Sequence, residues 1–284
     1  MPGEKNLRDV LRVKPGERVD LSKLDPAADH GWTKDEGKAR TGELNEQLTD
    51  LQDKLWAEGK HPVLVVLQGI DASGKDGAIR RVMTAFNPQG CTVSSFKVPT
   101  AEEAAHDFLW RIHKRVPGKG EIGVFNRSHY EEVLVVRVHD FIPASEIPGR
   151  YELIRQFEES LVETGTTIVK FFLHISNEEQ RERLQERYDN PAKNWKFSLG
   201  DLEERKLWDK YIEAYEDALS KTSTKGAPWY VIPANRNWMR DLSIATILAD
   251  TLADLKPDYP PAGELPKGLV IPDHDQESPE ASPR

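Results

Sequence analysis

The stretch VLVVLQGIDASGKDG (residues 63–77) decides the fold of this chain. Its first part, Val63–Leu67, is a short, continuous run of aliphatic residues, which is typical of a strand buried on both faces of a parallel sheet. Its second part, Gly69–Lys75, matches the G-x-x-x-x-G-K pattern of a phosphate-binding loop. A helix is predicted from Lys75 to Phe86, where Asn87 and Pro88 end it. A strand, a glycine-rich loop and a helix in this order predict a P-loop.

Strands and helices continue to alternate on both sides of this unit. A helix is predicted from a cap at Thr41 to a stop at Gly59, because leucines recur at helical spacing between them. The other predicted strands are Cys91–Phe96, Ile122–Phe125, Thr167–Ile175 and Trp229–Ile232, and the other predicted helices include Glu102–Lys114 and Tyr151–Glu163. Such alternation predicts a three-layer α/β/α fold with a mainly parallel sheet between helical layers.

Three segments follow from this pattern. Residues 1–60 are predicted to form an N-terminal arm and an amphipathic helix packed on the core, and residues 61–256 the P-loop domain with a lid at 181–206. Residues 257–284 are rich in proline and acidic residues, which predicts a tail that is disordered toward its end.

Composition limits the class of protein. Cys91 is the only cysteine, which excludes an internal disulfide and a cysteine zinc cluster and favours a cytoplasmic protein. No apolar run approaches the roughly 20 residues that cross a bilayer, so we expect no membrane partner. The net charge is −9, but residues 241–284 carry −6 of it, whereas residues 69–139 carry +2. The overall acidity therefore does not exclude binding of phosphates.

The loop residues suggest a chemistry. The backbone N–H groups of a curled glycine loop can hold phosphate oxygens, and Lys75 can neutralise a phosphoryl group in transfer. Asp76 stands where a P-loop usually carries the Ser or Thr that binds magnesium, so the metal must be held differently. Asp71 is a candidate ligand for Mg²⁺, and its alternative role is to stabilise the turn.

A second group of polar residues follows the strand at Ile122–Phe125. Asn126 occupies the position where a Walker B strand usually carries a carboxylate, and Arg127 comes next. Arg127 can neutralise a transition-state oxygen, or it can form an ordinary surface ion pair. Glu131 and its neighbour Glu132 can bind metal or take a proton, or they can simply open a helix with acidic residues.

The segment 181–206 is strongly basic. It contains seven cationic residues: Arg181, Arg183, Arg187, Lys193, Lys196, Arg205 and Lys206. Such a segment can close over a polyanionic substrate as a lid, or it can be a solvated surface whose cations pair with nearby glutamates. The spacing of Trp208, Tyr211 and Tyr215 in the next helix favours a buried face over a base-stacking role.

Several motifs together resemble the polyphosphate kinase 2 family. They are GIDASGKDG at 69–77, VFNRSHYE at 124–131 and PAKNWKFS at 191–198, with FKVPT at 96–100, HDFLWR at 106–111 and VIPAN at 231–235 in the family's order. The resemblance spans roughly Leu7 to Leu255. It implies a thymidylate-kinase-like P-loop kinase fold with a helical lid, and phosphoryl transfer between inorganic polyphosphate and AMP, ADP or ATP with Mg²⁺, for which Mn²⁺ is the alternative ion. It also implies a dimer or tetramer and no nucleic-acid partner.

The resemblance also implies roles for individual residues. The predicted catalytic residues are Asp71, Lys75 and Arg127, and the predicted metal ligand is Asp71, with Asn126 or Glu131 as a second one. The predicted phosphate-binding residues are Gly69, Ala72, Ser73, Gly74, Asp76, Gly77, Arg80, Arg81, Arg187, Lys193 and Lys196. The predicted nucleotide-binding residues are Lys97, Asn126, Arg127, Tyr130 and Glu131. The variant NRSHYE at 126–131 resembles the subgroup that phosphorylates both AMP and ADP.

Two other functions stay open at the level of sequence. An ATP-dependent kinase of a nucleotide or small molecule would use the same loop and lid, although Asp76 counts mildly against it. A P-loop protein that binds nucleotides without catalysis would explain Asn126 as a lost catalytic carboxylate.

Overall fold

A five-stranded parallel sheet forms the centre of the computed structural model, which describes residues 6–263 and residue 271. The strands are β1 (Val63–Gln68), β2 (Cys91–Ser95), β3 (Ile122–Asn126), β4 (Thr167–His174) and β5 (Trp229–Pro233). Their order in the sheet is β2-β3-β1-β4-β5, and every neighbouring pair is parallel. The predicted fold class is confirmed.

Eleven α-helices connect and cover the strands within the described residues. They are α1 (Leu7–Val10), α2 (Lys34–Glu58), α3 (Lys75–Val82), α4 (Ala101–Ala104), α5 (Trp110–His113), α6 (Val135–Val138), α7 (Ile147–Glu163), α8 (Asn177–Asp189), α9 (Leu199–Lys206), α10 (Trp208–Thr222) and α11 (Asn237–Asp254). Short 3₁₀ turns lie at Leu21–Lys23, Met83–Ala85, Pro88–Gly90, His129–Val133, Ala144–Glu146 and Asn194–Lys196. Of these α-helices, none combines the length and the apolar character needed to cross a lipid bilayer.

Alternate residues of β1 point to opposite faces of the sheet and enter two separate cores. Val63, Val65 and Leu67 pack on the face covered by α2, α3 and α11. Leu64 and Val66 pack on the face covered by α6, α7 and α10. Because β1 is fully buried on both faces, each of its aliphatic side chains contributes about 1.5–3 kcal/mol of burial free energy.

The N-terminal arm covers the outer edge of β5. The N–H of Val13 donates to the carbonyl of Trp229 at 2.9 Å, and the N–H of Val231 donates to the carbonyl of Leu11 at 2.9 Å. Arg12 and Tyr230 form the antiparallel bridge between these bonds. The arm therefore satisfies backbone groups that an edge strand would leave open.

The start of helix α2 differs from the prediction. The helix begins at Lys34, because Thr33 and Glu36 form a capping box in front of it. Thr41, the predicted cap, lies inside the helix, and its hydroxyl donates to the carbonyl of Gly37 at 2.7 Å. Gly59 ends the helix in a left-handed conformation with φ of 63°, as predicted.

The prediction of one continuous helix from Glu102 to Lys114 is wrong. Two single turns, α4 and α5, stand in its place, separated by residues 105–109. A side-chain oxygen of Asp107 accepts a hydrogen bond from the N–H of Leu109 at 3.0 Å, which favours a local turn over a continuous helix. The disorder predicted toward the end of the C-terminal tail falls on residues 272–284, which lie outside the described residues.

Candidate active site

The phosphate loop joins the end of β1 to the start of α3. Gly74 caps α3 in a left-handed conformation with φ of 99°, and Ala72 is left-handed with φ of 65°. The ammonium group of Lys75 folds back and donates to the carbonyl of Gly69 at 2.6 Å. Burial lowers the pKa of Lys75 below its ordinary value, although the nearby carboxylates of Asp71 and Glu131 act in the opposite direction. The amine therefore lies in the loop, next to the place where a phosphate would bind.

Arg127 lies beside this loop because β3 is the neighbour of β1 in the sheet. Its backbone N–H donates to the carbonyl of Leu67 at 3.1 Å, and its φ of 61° turns the chain away from the sheet. Its guanidinium lies 2.8 Å from a carboxylate oxygen of Asp71 and 3.4 Å from one of Glu131. Burial alone would lower the pKa of Arg127, but the two carboxylates raise it above its ordinary value. The guanidinium is therefore a fixed positive charge at the loop.

A buried polar network supports the turn after Arg127. The ammonium of Lys170, on β4, contacts the carboxylate of Glu158 at 2.5 Å and the hydroxyl of Tyr130 at 2.8 Å. A ring nitrogen of His129 lies 3.2 Å from the same carboxylate. All four side chains are buried. Burial alone would raise the pKa of Glu158, but Lys170 and His129 lower it below its ordinary value.

This network changes the interpretation of Tyr130. We predicted that Tyr130 contacts the nucleotide, but its side chain is fully buried and its hydroxyl donates to Glu158 at 2.8 Å. Tyr130 therefore lies in the core beneath the loop, and it acts on the site by anchoring the segment that carries Arg127 and Glu131.

Gln68, the last residue of β1, links the two halves of the site. Its amide nitrogen donates to Ser128 at 3.1 Å and to Glu131 at 3.2 Å, and its amide oxygen is buried without a hydrogen-bond partner among the described residues. Burial raises the pKa of Glu131 above its ordinary value. The positive charges of Arg127 and Lys75 act in the opposite direction but do not cancel this increase. The sequence does not mark Gln68 as a site residue, because a polar residue at the end of a buried strand belongs to no motif.

The predicted metal ligands do not form a complete cage. Within residues 6–263 and 271, no group of three or more His, Cys, Asp or Glu is arranged to hold a metal ion. Asp71 and Glu131 are both paired with Arg127, and the amide of Asn126 donates to Asp76 at 3.0 Å. A magnesium ion typically completes its shell with water and substrate phosphates, so a partial oxygen set is compatible with it.

A cavity of about 250 Å³ lies in front of the loop. It is lined by Gly69, Ile70, Asp71, Arg127, Glu131, Val135, Gln180, Glu204, Trp208, Tyr211 and Tyr215. We predicted that the three aromatic residues of α10 are buried for packing. Tyr215 is buried, but Trp208 and Tyr211 are only partly buried and form the wall of the cavity. The cavity combines a charged end at the loop with an aromatic wall.

The predicted lid cations pair mostly within the lid. Arg187 lies 3.9 Å from Asp201, Lys193 lies 2.6 Å from Glu186, and the ammonium of Lys196 lies 4.9 Å from the ring centre of Trp195. None of these three cations lines the cavity as the structure describes it. Arg183 differs, because it turns inward and donates to P-loop carbonyls.

Three of the remaining predicted phosphate and nucleotide residues lie on the exposed surface, whereas Ser73 is buried in the loop. Arg80 and Arg81 are exposed on α3, and Lys97 is exposed just beyond β2. Gly77 faces the guanidinium of Arg240, which belongs to α11. Arg240 is buried and paired with Asp241 at 2.6 Å, and no sequence motif marked it.

Gly74 is a loop position where a side chain would be strained. A Cβ there would lie 2.4 Å from the Arg240 guanidinium, in a left-handed conformation that side chains rarely adopt. We therefore expect Gly74→Ala to cost about 1–3 kcal/mol of stability and to lower kcat at least tenfold. Chemical denaturation measures the change in stability, and a phosphoryl-transfer assay measures the change in kcat. Gly16→Ala is the control: it has a similar φ of 76° but open space, so it should cost less stability and leave kcat unchanged.

The fold and this site define a class of protein. A glycine loop between a central parallel strand and a helix, with a lysine folded into it and an arginine from the adjacent strand, is the arrangement of a P-loop phosphotransferase. The model of the family described as polyphosphate kinase 2 matches residues 31–260. The chain belongs to the polyphosphate kinase 2 family.

Two curated relatives and one solved structure support this assignment. An AMP/ADP-polyphosphate phosphotransferase of Meiothermus ruber is 54% identical over 92% of this chain and 98% of its own length. An ADP-polyphosphate phosphotransferase of Rhodopseudomonas palustris is 48% identical over 88% of this chain and 91% of its own length. The crystal structure of polyphosphate kinase 2 from Arthrobacter aurescens TC1 superposes with a TM-score of 0.88, with 45% identity and 95% of each chain covered.

Proposed function

We propose that this enzyme transfers the terminal phosphoryl group of inorganic polyphosphate to AMP and ADP, in a reversible reaction. The observation that carries the proposal is the contact of Arg127 with Asp71 and Glu131 beside Lys75, at the charged end of the cavity. The names of the relatives in Meiothermus ruber and Rhodopseudomonas palustris support the choice of substrates.

The proposed chemistry needs no covalent intermediate on the protein. The loop N–H groups and Lys75 hold the phosphoryl group, and Arg127 neutralises the charge that develops on its oxygens. The aromatic wall of Trp208 and Tyr211 keeps water away from the group in transfer. Arg187, Lys193 and Lys196 are proposed to meet the polyphosphate chain when it enters beneath the lid.

We propose that a divalent ion, Mg²⁺ with Mn²⁺ as the alternative, works at this site. Asp71 would hold it, with Glu131 as the second carboxylate and the unpaired, buried oxygen of Gln68 as a further hard donor. When bound, such an ion would act as a Lewis acid and stabilise the negative charge of the phosphoryl group in transfer.

The donor assay tests the proposed function. Pure protein is mixed with Mg²⁺, AMP or ADP, and either polyphosphate or ATP as donor, and the nucleotides are separated by chromatography. We expect ADP and ATP to form from polyphosphate. Turnover of sugar or nucleoside acceptors with ATP, and none with polyphosphate, would instead establish an ordinary kinase. Binding of nucleotide without turnover from either donor would indicate a non-catalytic P-loop protein.

Removal of the metal should abolish transfer. With EDTA in excess, we expect the rate to fall at least 100-fold, because several kcal/mol of charge stabilisation is lost. Added Mg²⁺ or Mn²⁺ should restore it. A rate that persists after exhaustive chelation, measured in the same assay, would contradict the metal assignment. Asp71→Asn should raise the Mg²⁺ concentration needed for half-maximal activity.

The protein is further proposed to be a cytoplasmic homo-oligomer. The single cysteine is typical of a reducing compartment, and the family resemblance implies a dimer or tetramer. Light scattering coupled to size exclusion measures the oligomeric state, and a monomer at micromolar concentration would contradict this part of the proposal.

A further inference from the structure

Two side chains of helix α8 bind the carbonyl groups on the outer side of the phosphate loop. The amide of Gln180 donates to the carbonyl of Asp71 at 3.1 Å, and Arg183 donates to the carbonyls of Ala72 and Ser73, both at 3.0 Å. We propose that Gln180 and Arg183 are positioning residues that hold the loop in its phosphate-binding conformation. This inference rests on the proposed function, because the loop is taken to bind the phosphoryl group in transfer.

Every N–H group of the Arg183 guanidinium donates a hydrogen bond within the protein. A guanidinium has five N–H donors in a fixed fork, and here each of them has a partner. They donate to Glu179 at 2.7 Å, Ala72 at 3.0 Å, Ser73 at 3.0 Å, Ala234 at 2.6 Å and Asn235 at 3.1 Å. Four of these five acceptors are backbone carbonyls, two in the phosphate loop and two after β5. Arg183 therefore joins the loop to the segment that follows β5 and has no donor left for a substrate.

The geometry of the loop explains why these carbonyls need partners. When the N–H groups of a loop turn inward toward a phosphate, its carbonyls turn outward, and a buried carbonyl without a partner is costly. Ala72 is also left-handed without being glycine, a conformation that costs of order 1–3 kcal/mol and persists only where neighbours enforce it. Gln180 and Arg183 are three residues apart on α8, so they lie on one face of the helix. Together they bind three consecutive carbonyls of the loop.

Helix α9 of the lid is tied to the same pair. The guanidinium of Arg205 donates to the side-chain oxygen of Gln180 at 2.9 Å and to the carbonyl of Asn177 at 2.8 Å. The side chain of Gln180 thus accepts a hydrogen bond from Arg205 in the lid and donates one to the carbonyl of Asp71 in the loop. Two cations of the predicted lid, Arg183 and Arg205, therefore hold the loop and the lid together. The three that were predicted to bind phosphate, Arg187, Lys193 and Lys196, make no contact with the loop carbonyls in the described part of the chain and interact with other residues of the lid.

Arg183→Lys is the first test. Lysine keeps the charge and reaches only one or two of the five acceptors, so the loop should lose its alignment. We expect kcat to fall about 100-fold, the size of effect that small misplacements of reacting groups produce, while the KM for AMP or ADP stays within about threefold. Arg155→Lys is the matched control, because Arg155 is a half-exposed residue on α7 that pairs with Glu152 at 3.2 Å. It should leave kcat and KM unchanged.

Gln180→Leu and Gln185→Leu form a second matched pair on the same helix. Gln180 is 2% exposed and bonds to the loop, whereas Gln185 is exposed and bonds to Asp189 at 2.9 Å. We expect Gln180→Leu to lower kcat at least tenfold, because it loses the bond to the Asp71 carbonyl and the bond from Arg205, and Gln185→Leu to have no effect. If Arg183→Ala folds, millimolar guanidinium in the assay should restore part of its kcat, and it should not restore Lys75→Ala.

Hydrogen exchange gives a measurement that does not depend on turnover. In Arg183→Lys, the amides of Ser73 and Ala78, which are bonded to Ile70 and Gly74, should exchange at least fivefold faster than in the wild type. Amides of β4 serve as the reference and should be unchanged. Absence of polyphosphate transfer in the wild type would refute the proposed function, and exchange would still decide this inference. Wild-type kcat together with wild-type exchange in Arg183→Lys would overturn it.

Discussion

Arg127→Ala is expected to lower kcat for transfer from polyphosphate to ADP by about 1000-fold, the lower range for loss of an arginine in phosphoryl transfer. The guanidinium lies between Asp71 and Glu131, so its removal takes away the positive charge and leaves two carboxylates facing the phosphoryl group. Like charges then repel the polyphosphate as well as the transition state. Arg127→Lys should restore little of the rate, because a single ammonium cannot contact both carboxylates and a phosphate oxygen.

The measurement is a steady-state assay of wild type, Arg127→Ala and Arg127→Lys, with melting curves as a check on folding. Arg127 is 38% exposed at its side chain, but its partner Glu131 is only 14% exposed, so we expect both variants to fold with a lowered melting temperature. Arg155→Ala is a control of comparable exposure on α7 and should keep the wild-type rate. A fall of less than tenfold in well-folded Arg127→Ala would show that the guanidinium does not act on the transferred group.

Lys75→Ala is expected to lower kcat by about 100-fold to 1000-fold, as the loss of one well-placed charged donor does. The ammonium donates to the carbonyl of Gly69 at 2.6 Å, which holds it against the loop. Burial destabilises the charged form of Lys75 and so lowers its pKa. A bound phosphate would stabilise that charged form. Substrate binding should therefore raise the pKa of Lys75 toward its ordinary value.

Lys23→Ala is the matched control for this variant. Lys23 is 80% exposed at its side chain and pairs with Asp20 at 3.0 Å, away from the loop. The two variants are compared for kcat, KM and melting temperature under saturating polyphosphate. Equal rates for Lys75→Ala and Lys23→Ala would mean that the loop lysine has no part in catalysis, whatever else the loop binds.

The central unit of the fold could be predicted because its signals are local. Val63–Leu67 is aliphatic throughout, Gly69–Lys75 has a fixed spacing, and the helix after Lys75 has its own start signal. The parallel order of strands then follows from the crossovers, and it brings Arg127 to the loop. The meeting of Asp71 with Arg127 could be expected from two strand ends alone.

The rest of the site depends on contacts between distant parts of the chain. Arg183 was expected to be a lid cation, and only the packing of α8 against the loop turns it inward. Tyr130 was expected to contact the nucleotide, but Lys170 and Glu158, 40 and 28 residues away, draw it into the core. Arg240 has no motif at all. A polar side chain is buried where other groups satisfy its hydrogen bonds, and in these cases those groups lie far away in the sequence.

Two helix predictions were wrong because side-chain hydrogen bonds decide where a helix begins and whether it continues. Thr41 was predicted as the cap of α2, but the helix begins after Thr33, because Glu36 completes a capping box with it. Between Glu102 and Lys114 the pattern allowed a helix, but a side-chain bond from Asp107 competes with the backbone ladder.

The most direct test of the central claim follows labelled phosphate from donor to acceptor. Wild-type protein is mixed with polyphosphate carrying ³²P in its phosphoryl groups, unlabelled AMP and Mg²⁺, and the reaction is stopped within one turnover. The predicted result is label in the β-phosphate of ADP, with none bound to the denatured protein. Label that appears only in free phosphate, or that stays on the protein, would contradict direct transfer from polyphosphate to the nucleotide.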